Sequence, residues 1–457
     1  MRNLWRAFAA LAFVALPVAA QMAIQSEATG AAVSVDRGHA VAGTVKKRGT
    51  IPAASGEVAR PPNALDAVVQ FRADPGGVAD NATAFAAIFA DTNSSTIFLP
   101  PGTYRLSCGH YYTAASAISL YGQGQDRTTI RFDRGCLFSG NNPSNPGTSP
   151  FTWSGKSGVQ LRNLTIDLNT PAVPSVTQYP ILFDAEAGVT VTNITLDHIR
   201  VINGTSPTLL VALAAHGGTL KNPVVTNSFF SLTRAATSQN ECITLYTYNA
   251  YGTISGAVIT NNMCVKTGIG IDGSNGMVSG NDISGFRYGT GIFTAYNIGV
   301  SAVSDHDNTI TKNVIHDSPG GKDVDNTPAG GIENSCVHCL IKDNIAHHLG
   351  GPGFLNYGND TTFVGNTAFD NGKSGAGARG LGDTAGFFLS ASGSASQAAG
   401  TGVTFIGNTA YDDGPGTQLY GYVANNPTVA TLRSNKFKGV KESQLLQTGA
   451  SVKEKAE

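Results

Sequence analysis

One short phrase recurs along this chain between residues 159 and 437: a few residues with alternating apolar side chains, an asparagine, and a second short apolar run. Its asparagines are closely spaced, because Asn193 and Asn227 are 34 residues apart and Asn261 and Asn281 only 20. Such intervals are too short for two parallel strands joined by a full crossover helix, but they fit one coil of three short strands. The repeat therefore predicts a parallel β-solenoid, in which each coil stacks only on its neighbours.

The asparagine of the phrase predicts a tight turn between two strands of each coil. Asparagine tolerates a turn backbone, and amides stacked coil upon coil can hydrogen-bond to one another along the solenoid axis. The phrase resembles the repeat of right-handed parallel β-helix proteins, which implies that fold for this chain. We expect the following residues to lie near one column: Asn193, Asn227, Asn261, Asn281, Asn313, Asn344, Asn366 and Asn408.

The composition favours turns and short strands over a helical bundle, since the chain contains 55 Gly and 20 Pro and only 13% charged residues. A solenoid grows along one axis, so a chain of 457 residues can form one elongated domain. The formal net charge is −1 and the sequence has no basic cluster, which argues against nucleic acid as a partner.

The two ends of the chain differ from the repeats. Arg2 and Arg6 precede an apolar run at residues 7–16 and small residues at 18–20, so residues 1–20 are typical of a signal peptide and predict a secreted or periplasmic protein. That run is too short to span a bilayer, and no later stretch is long enough, so no membrane partner is expected. We expect a flexible linker at residues 21–64, the solenoid domain at 65–440, and a charged, disordered tail at 441–457.

Several segments near the start of the predicted domain form a second pattern, at residues 69–71, 76–77, 80–89, 96–104 and 118–130. Together they resemble the pectate-lyase-like (superfamily 3) right-handed parallel β-helix family, although Asn81 stands where that family usually has a second acidic residue. The resemblance implies an all-β right-handed parallel β-helix with an N-terminal amphipathic cap helix, whose apolar face includes Phe85, Ile88 and Phe89. Because the family includes lyases, hydrolases, epimerases and spikes, it implies a polysaccharide partner without fixing the chemistry.

Six cysteines in a chain predicted to be exported favour disulfides. Cys108 and Cys136 fall in successive early coils, and Cys242 and Cys264 fall near a corner that adjacent coils share. We therefore expect two disulfides that each tie one coil to the next.

The third cysteine pair lies in the segment Cys336-Val-His338-Cys339, for which two interpretations stay open. One is a short-loop disulfide. The other is a zinc site that also uses His338, His347 and His348. The disulfide is favoured, because the second cysteine pair that a structural zinc site needs is missing.

In each coil the strand before the asparagine is taken as the second and the run after it as the third, and a loop then leads into the first strand of the next coil. Candidate chemistry lies on the outward face of these first strands. Alternation along these strands turns Asp272 and Glu333 outward, together with the aromatic side chains of Tyr246, Phe293 and Tyr357. Carboxylates act as acids, bases or cation ligands, and aromatic rings pack against sugars. Asp272 and Glu333 are two coils apart, about 10 Å, which suits an inverting glycosidase better than a retaining one.

Two long polar segments, at residues 296–308 and 316–326, are expected to wall this groove. Lys322 is a candidate lyase base, Arg287 or Lys322 is a candidate contact for a uronate carboxylate, and His316 is a further candidate for substrate binding. Calcium needs several oxygen ligands, so the acidic residues of the two segments are candidate Ca²⁺ ligands. They are Asp305, Asp307, Asp323 and Asp325.

Three classes of function fit these observations. The first is an enzyme that cleaves an acidic, uronic acid polysaccharide by β-elimination or hydrolysis. The second is a uronan epimerase, with an acid and a base on opposite sides of one carbon, and the third is a non-catalytic glycan-binding or surface-structural solenoid. The motifs of the polygalacturonases are missing, whereas the coils at residues 366–372 and 408–414 resemble those of calcium-dependent pectate lyases.

Overall fold

The computed structural model of the protein describes residues 58–136, 149–170, 179–205, 210–233, 241–247, 252–287, 289–294, 305–318, 320, 327–377, 379–390, 400–414, 416–425, 428–446 and 450–454. The predicted signal peptide and residues 21–57 of the predicted linker lie outside the described residues. So do Lys322, Asp323 and Asp325.

The first strands of successive coils form one parallel sheet of 12 strands, which we call the first-strand sheet. Its strands alternate between side chains that fill the interior of the solenoid and side chains that face outward. In chain order they are β5 Tyr112–Thr113, β8 Phe151–Ser154, β10 Ile181–Glu186, β13 Val211–His216, β17 Glu241–Thr247, β21 Gly268–Ile271, β24 Thr290–Thr294, β27 Gly330–Asn334, β30 Phe354–Asn356, β33 Ala385–Leu389, β36 Tyr420–Ala424 and β39 Glu442–Leu446.

The second and third strands of the coils belong to one parallel sheet of 25 strands. The second-strand column is β1 Leu65–Asp66, β3 Thr96–Leu99, β6 Ser119–Gly122, β9 Gln160–Asp167, β12 Thr195–Gly204, β15 Val224–Thr226, β19 Val258–Thr260, β22 Met277–Ser279, β25 Thr309–Thr311, β28 Leu340–Lys342, β31 Thr362–Val364, β34 Val403–Ile406, β37 Val429–Arg433 and β40 Ser451–Glu454. The third-strand column is β2 Gly76–Asp80, β4 Gly102–Leu106, β7 Thr128–Phe132, β16 Phe229–Leu232, β20 Met263–Val265, β23 Asp282–Ser284, β26 Val314–Ser318, β29 Ile345–Leu349, β32 Thr367–Phe369, β35 Thr409–Tyr411 and β38 Lys436–Lys438. Strands β9 and β12 run through both columns.

Three short strands form a small separate sheet: β11 Thr190–Thr192, β14 Thr219–Lys221 and β18 Thr253–Ser255. The described helices are α1 Ala67–Phe71, α2 Ala82–Phe89 and a 3-10 helix Leu381–Thr384. Helix α2 buries Phe85, Ile88 and Phe89, and its aromatic rings pack against Tyr112 and Phe151 of the first-strand sheet. Apolar burial of this kind fixes the helix to the first coils.

The interior is a continuous apolar core built by strand alternation. Ile243, Ile269, Ile292, Ile332 and Phe354 lie side by side in register on successive first strands and are almost completely buried. The prediction that they point inward is confirmed, and with it the predicted solenoid.

The asparagine ladder is real, but its first three members were predicted one residue too early. In the structure the side-chain nitrogen of Asn313, Nδ2, donates to the Oδ1 atom of Asn344 at 2.9 Å and to the backbone carbonyl of Val278 at 2.9 Å. The same pattern repeats along the column. Each turn places one residue in the left-handed backbone and the ladder residue directly after it. The ladder residues are Asn262, Asn281, Asn313, Asn344, Asn366, Asn408 and Asn435.

Asn193, Asn227 and Asn261 occupy the left-handed position instead, with φ of 57°, 50° and 55°. This is the physical reason for the error, because asparagine suits both positions of the turn. The buried position that follows Asn227 is filled by Ser228, whose backbone N–H donates to Asn262 at 3.1 Å.

The covalent cross-links and the C-terminal end complete the fold. The disulfides Cys108–Cys136 and Cys242–Cys264 are confirmed, and Cys336 pairs with Cys339, so the zinc alternative for those cysteines is wrong.

The segment expected to be a disordered tail contains β39 and β40, which extend both sheets by pairing with β36 and β37. No helix among the described residues has the length and hydropathy needed to cross a bilayer.

Candidate functional site

The outward side chains of the first-strand sheet change character along the solenoid axis. At one end they form a small apolar cluster that includes Leu182 and Ala212, and at the other a larger one that includes Leu355, Phe388 and Val423. Between these clusters the same outward row runs through Thr244, Gly270, Phe293 and Glu333, so polar and ionisable side chains appear there beside one aromatic ring. Because buried polar groups are costly unless they are paired, this central part of the face is where function is expected.

Asp272 lies one residue beyond the end of β21, where the chain turns away from the first-strand sheet. Its Oδ2 atom accepts hydrogen bonds from the backbone N–H of Thr247 at 3.0 Å and from the hydroxyl of Thr247 at 3.2 Å. Burial raises the pKa of Asp272 to about 7, the bonds from Thr247 oppose this shift, and the nearby charge of Glu241 adds to it. The second carboxyl oxygen, Oδ1, is buried and has no hydrogen-bond partner.

Asp305 approaches Asp272 from the next coil. It is 5% exposed, its Oδ1 atom accepts a hydrogen bond from the backbone N–H of Gly273, and its Oδ2 atom is buried without a partner. Burial and then the charge of Asp272 hold the pKa of Asp305 well above its usual range. Two carboxyl groups in one buried site cannot both ionise cheaply, so the pair holds a proton near neutral pH.

Glu241 completes the acidic centre from the preceding coil. Its Oε2 atom accepts a hydrogen bond from the hydroxyl of Thr244 at 2.7 Å. The side chain lies across Gly270, where an added Cβ atom would come within 2.5 Å of a Glu241 carboxyl oxygen. Glycine at 270 therefore leaves the space that Glu241 needs on the outward face.

Glu333 lies further along the same face, but it contacts a different set of groups. The Arg379 Nη1 atom is 3.9 Å from Glu333 Oε2, and the Arg379 Nε atom donates to Asp383 at 2.6 Å. The sequence predicted a central pair of Asp272 and Glu333, whereas the structure brings Asp272 together with Asp305 and Glu333 together with Arg379. The reason is tertiary, since the segment that carries Arg379 folds over β27 only in the assembled solenoid.

A histidine and an aspartate on the same face were missed by sequence reasoning. The Nδ1 atom of His216 lies 2.6 Å from Asp184 Oδ1, and the carboxylate is 2% exposed. Glu186 contacts Ser154 beside them. The only available signal was the presence of polar residues at the ends of β10 and β13, which does not reveal that the two strands are paired in register.

The remaining predicted site residues are divided between two surfaces. Tyr246, Phe293 and Tyr357 are half-buried near the first-strand sheet, and Arg287 is exposed just before β24. Burial raises the pKa of Tyr357 to about 12, so its phenol stays protonated. These residues line the same side of the solenoid as Glu241 and Glu333.

Two predicted residues depart from that groove. Asp307 is exposed and lies against His306 at 2.7 Å, apart from the buried carboxyl of Asp305. His316 lies in β26 of the third-strand column and not in a loop beside the first-strand sheet, because the strand continues to Ser318. It belongs there to a group of histidine and aspartate side chains, of which Asp317, His347 and His348 are spaced so that they could hold a metal ion.

Comparison with known proteins agrees with this architecture. A family model for right-handed β-helix regions matches residues 267–454, so fold and sequence together define a right-handed parallel β-helix protein. A second model, described as "Rhamnogalacturonase A/epimerase, pectate lyase-like", matches residues 67–315, more than half of the chain. The chain belongs to this pectate lyase-like family, which confirms the resemblance found in the sequence.

Solved structures show the same fold at low sequence identity. The A-module of Azotobacter vinelandii mannuronan C-5 epimerase AlgE6 is 18% identical, with a TM-score of 0.60 over 85% of this chain and 99% of that one. The AlgE4 A-module from the same organism is 15% identical, with a TM-score of 0.53 over 85% and 99%. An α-1,3-glucanase catalytic domain in complex with nigerose is 13% identical, with a TM-score of 0.51 over 87% and 69%. No curated protein sequence matched the chain.

Proposed function

We propose that this protein is an exported enzyme that binds an acidic polysaccharide along the outward face of the first-strand sheet and acts on it at Glu241, Asp272 and Asp305. The observation that carries the proposal is the buried pair of Asp272 and Asp305, each with one carboxyl oxygen that has no hydrogen-bond partner, beside a third acidic residue. Burial raises the pKa of both acids, which favours a retained proton. A protonated carboxylic acid next to an ionised one is the combination that glycoside cleavage needs. The family description, which includes a rhamnogalacturonase and an epimerase, supports a polysaccharide substrate.

Asp272 is assigned as the proton donor and Glu241 as the base. In hydrolysis, Asp272 gives its proton to the glycosidic oxygen as the bond to the anomeric carbon breaks, and Glu241 takes a proton from the attacking water. In β-elimination, the base instead takes the proton at carbon 5 of a uronate, a double bond forms between carbons 4 and 5, and Asp272 protonates the leaving oxygen. Arg287, which is exposed, supplies positive charge for a uronate carboxylate.

The pair of His216 and Asp184 favours epimerisation as the second candidate function. Aspartate bonded to Nδ1 orients an imidazole so that Nε2 can exchange a proton. If a base removes the proton from one side of a carbon and an acid returns a proton from the other side, the configuration of that carbon is inverted and the polymer stays intact. The products distinguish the two functions, because only cleavage creates new chain ends.

Calcium is the cofactor that the acidic residues suit. Of the predicted ligands, Asp305 offers a buried oxygen without a partner, and Asp272 offers a second one beside it. Such oxygens fit a hard cation as well as they fit a shared proton. A cation bound there would displace the shared proton, so the two uses of the pair are alternatives. If calcium binds there, we expect activity to fall after chelation and to return with CaCl₂, and binding should also be visible by calorimetry in the absence of substrate; if Asp272 is the acid, chelation should leave activity unchanged.

The three disulfides support export to an oxidising compartment. This agrees with the predicted secreted or periplasmic location. The signal segment itself can be tested by following the cleavage of the N-terminus on export.

The proposal is tested by assaying the purified protein on a panel of uronic acid and neutral polysaccharides. Absorbance of unsaturated ends, reducing ends and the ratio of epimers should be followed in parallel. On the preferred polymer, Asp272→Asn should lower turnover by about 10²–10⁴-fold, because it removes the transferable proton while keeping the shape. Asp343→Asn is the matched control, since Asp343 is exposed and has a left-handed backbone that asparagine tolerates. Full activity of Asp272→Asn, or inactivity of the native protein on every polymer, would contradict the proposal.

A further inference from the structure

A second cluster of ionisable side chains lies on the third-strand column, on a different sheet from the acidic centre. Four rings stack there on successive coils, with centroid distances of 5.3, 4.6 and 4.9 Å. The residues that directly follow the first three rings form a second column, of ionisable side chains, beside them. The ring column is His316, His347, Phe369 and Tyr411, and the ionisable column is Asp317, His348 and Asp370.

The backbone explains why two consecutive residues point to the same side. Side chains on a strand normally alternate, so the residue after an outward ring should point inward. Asp317, His348 and Asp370 have φ of 50°, 56° and 53°, in the left-handed region, which breaks the alternation. Aspartate and histidine tolerate this region better than most residues, and no apolar residue takes their place in these three coils.

The donor atoms of three of these residues converge. One ligand atom from each of Asp317, His347 and His348 lies within 4.8 Å of the other two. The Nδ1 atoms of His347 and His348 are 2.7 Å apart, and His348 Nδ1 is 3.7 Å from Asp317 Oδ1. Two imidazole nitrogens and one carboxylate oxygen are a ligand set that suits divalent first-row transition metals, zinc in particular, better than calcium.

Each side of this ligand set is held by further partners. His316 lies between two carboxylates, with Nε2 3.0 Å from Asp282 and Nδ1 2.8 Å from Oδ2 of Asp317, which leaves Asp317 Oδ1 on the side of His348. The far nitrogen of His348, Nε2, faces Asp370 Oδ2 at 3.5 Å. Outer partners of this kind orient metal ligands and raise their basicity.

The charges in the cluster are also compatible with a metal ion. Burial and the neighbouring His316 and His348 lower the pKa of His347 to about 3, so its ring is neutral near neutral pH. Burial opposes charge on His316, but its bonds to Asp282 and Asp317 raise its pKa to about 9.

We propose that Asp317, His347 and His348 bind one zinc-like divalent transition metal ion on the third-strand column. With metal–nitrogen bonds of about 2.1 Å in a tetrahedral site, the two Nδ1 atoms would separate to about 3.4 Å, a ring movement of less than about 1 Å. The ion would tie the coil of β26 to the coil of β29. A fourth position remains for water or a ligand from solution. This site is independent of the acidic centre and does not rest on the proposed function.

The test is calorimetric titration of the full chain, free of any histidine tag, with ZnCl₂ at pH 7.5. We expect the native chain to bind one zinc ion. His347→Phe should bind zinc about 100-fold more weakly, because it loses a ligand. Phenylalanine keeps the ring column, since Phe369 already continues it, but it offers no donor. Asp370→Asn should weaken binding by about 10-fold, because it removes an outer partner only. CaCl₂ should not compete.

Two further variants keep the result interpretable. His198→Asn removes another histidine that has a left-handed backbone and an aspartate neighbour, outside this cluster, so zinc binding should be unchanged. If His347→Phe folds poorly, Asp317→Asn serves instead, because asparagine suits the same backbone. Equal zinc binding by the native chain and by a correctly folded ligand variant, or no binding by the native chain, would overturn the proposal.

Discussion

Two groups of buried carboxylates close to the first-strand sheet are stabilised in opposite ways. Asp383 is fully buried, and its oxygens accept hydrogen bonds from Arg379 Nε at 2.6 Å and from the backbone N–H of Gly377 at 2.9 Å. Asp272 and Asp305 are almost as deeply buried, yet each keeps one oxygen without a partner, and neither forms a salt bridge within the described residues. Among the residues that the structure describes, a cation neutralises the first group and no cation reaches the second.

The difference separates a structural from a functional use of buried charge. Arginine neutralises its carboxylates and holds the segment before β33 against the sheet. The unpaired acids destabilise the fold by their mutual repulsion, and that instability is what keeps a proton available for transfer. The predictions below test this contrast.

The largest effect is expected for Arg379→Met, which leaves Asp383 and Glu333 without their cation. The free energy of unfolding should fall by about 3–5 kcal/mol, because a buried charge loses its partner. Chemical denaturation at neutral pH measures it. Arg127→Met, at an exposed position, is the control and should change stability by less than about 0.5 kcal/mol. A loss below 1 kcal/mol for Arg379→Met would mean that the arginine is not structural.

Asp305→Asn should raise the free energy of unfolding, whereas Arg379→Met should lower it. The folded pKa values of Asp272 and Asp305 lie above the unfolded value of 3.8, so the native state binds more protons than the unfolded state between about pH 4 and 7. Native stability therefore falls as pH rises through that window. The variant removes one acid and can donate its amide N–H to Asp272, so it should gain about 1–3 kcal/mol at pH 8 and little at pH 4.

Denaturation curves of Asp305→Asn and the native protein at pH 4, 6 and 8 give this comparison. Asp343→Asn again serves as the exposed control. If the two proteins lose stability in parallel as the pH rises, the acids of the pair titrate normally and cannot supply a proton near neutral pH.

The smallest effect is expected for Glu333→Gln. Its ion pair with Arg379 is 3.9 Å long and partly exposed, so stability should change by less than about 1 kcal/mol. Turnover should fall less than in Asp272→Asn, because Glu333 is bound to the structural arginine. If kcat instead falls as far as in Asp272→Asn, then the pair predicted from sequence, Asp272 with Glu333, is the catalytic one.

The sequence was most informative where a pattern repeated in every coil, or a short spacing between neighbouring coils, determines the outcome. Alternation identified the first strands and the inward residues such as Ile269 and Ile332, and spacing identified two disulfides. It failed by one residue at Asn227 and Asn261, since a turn that accepts asparagine at two successive positions does not reveal which one stacks. It also missed His347 and His348 as a pair with Asp317, because a strand pattern alone would have turned one of them inward.

What the sequence determined by itself is the solenoid: short apolar runs, asparagine turns and abundant glycine leave few other ways to bury the interior. What only the tertiary structure decided is which polar side chains meet across coils. The chemistry of Asp272 depends on Thr247, Glu241 and Asp305, which come from neighbouring coils and are up to 33 residues away in the chain. Coil lengths vary with the loops, so spacing in the sequence does not fix the register between coils, and the hydrogen-bonded stack of strands does.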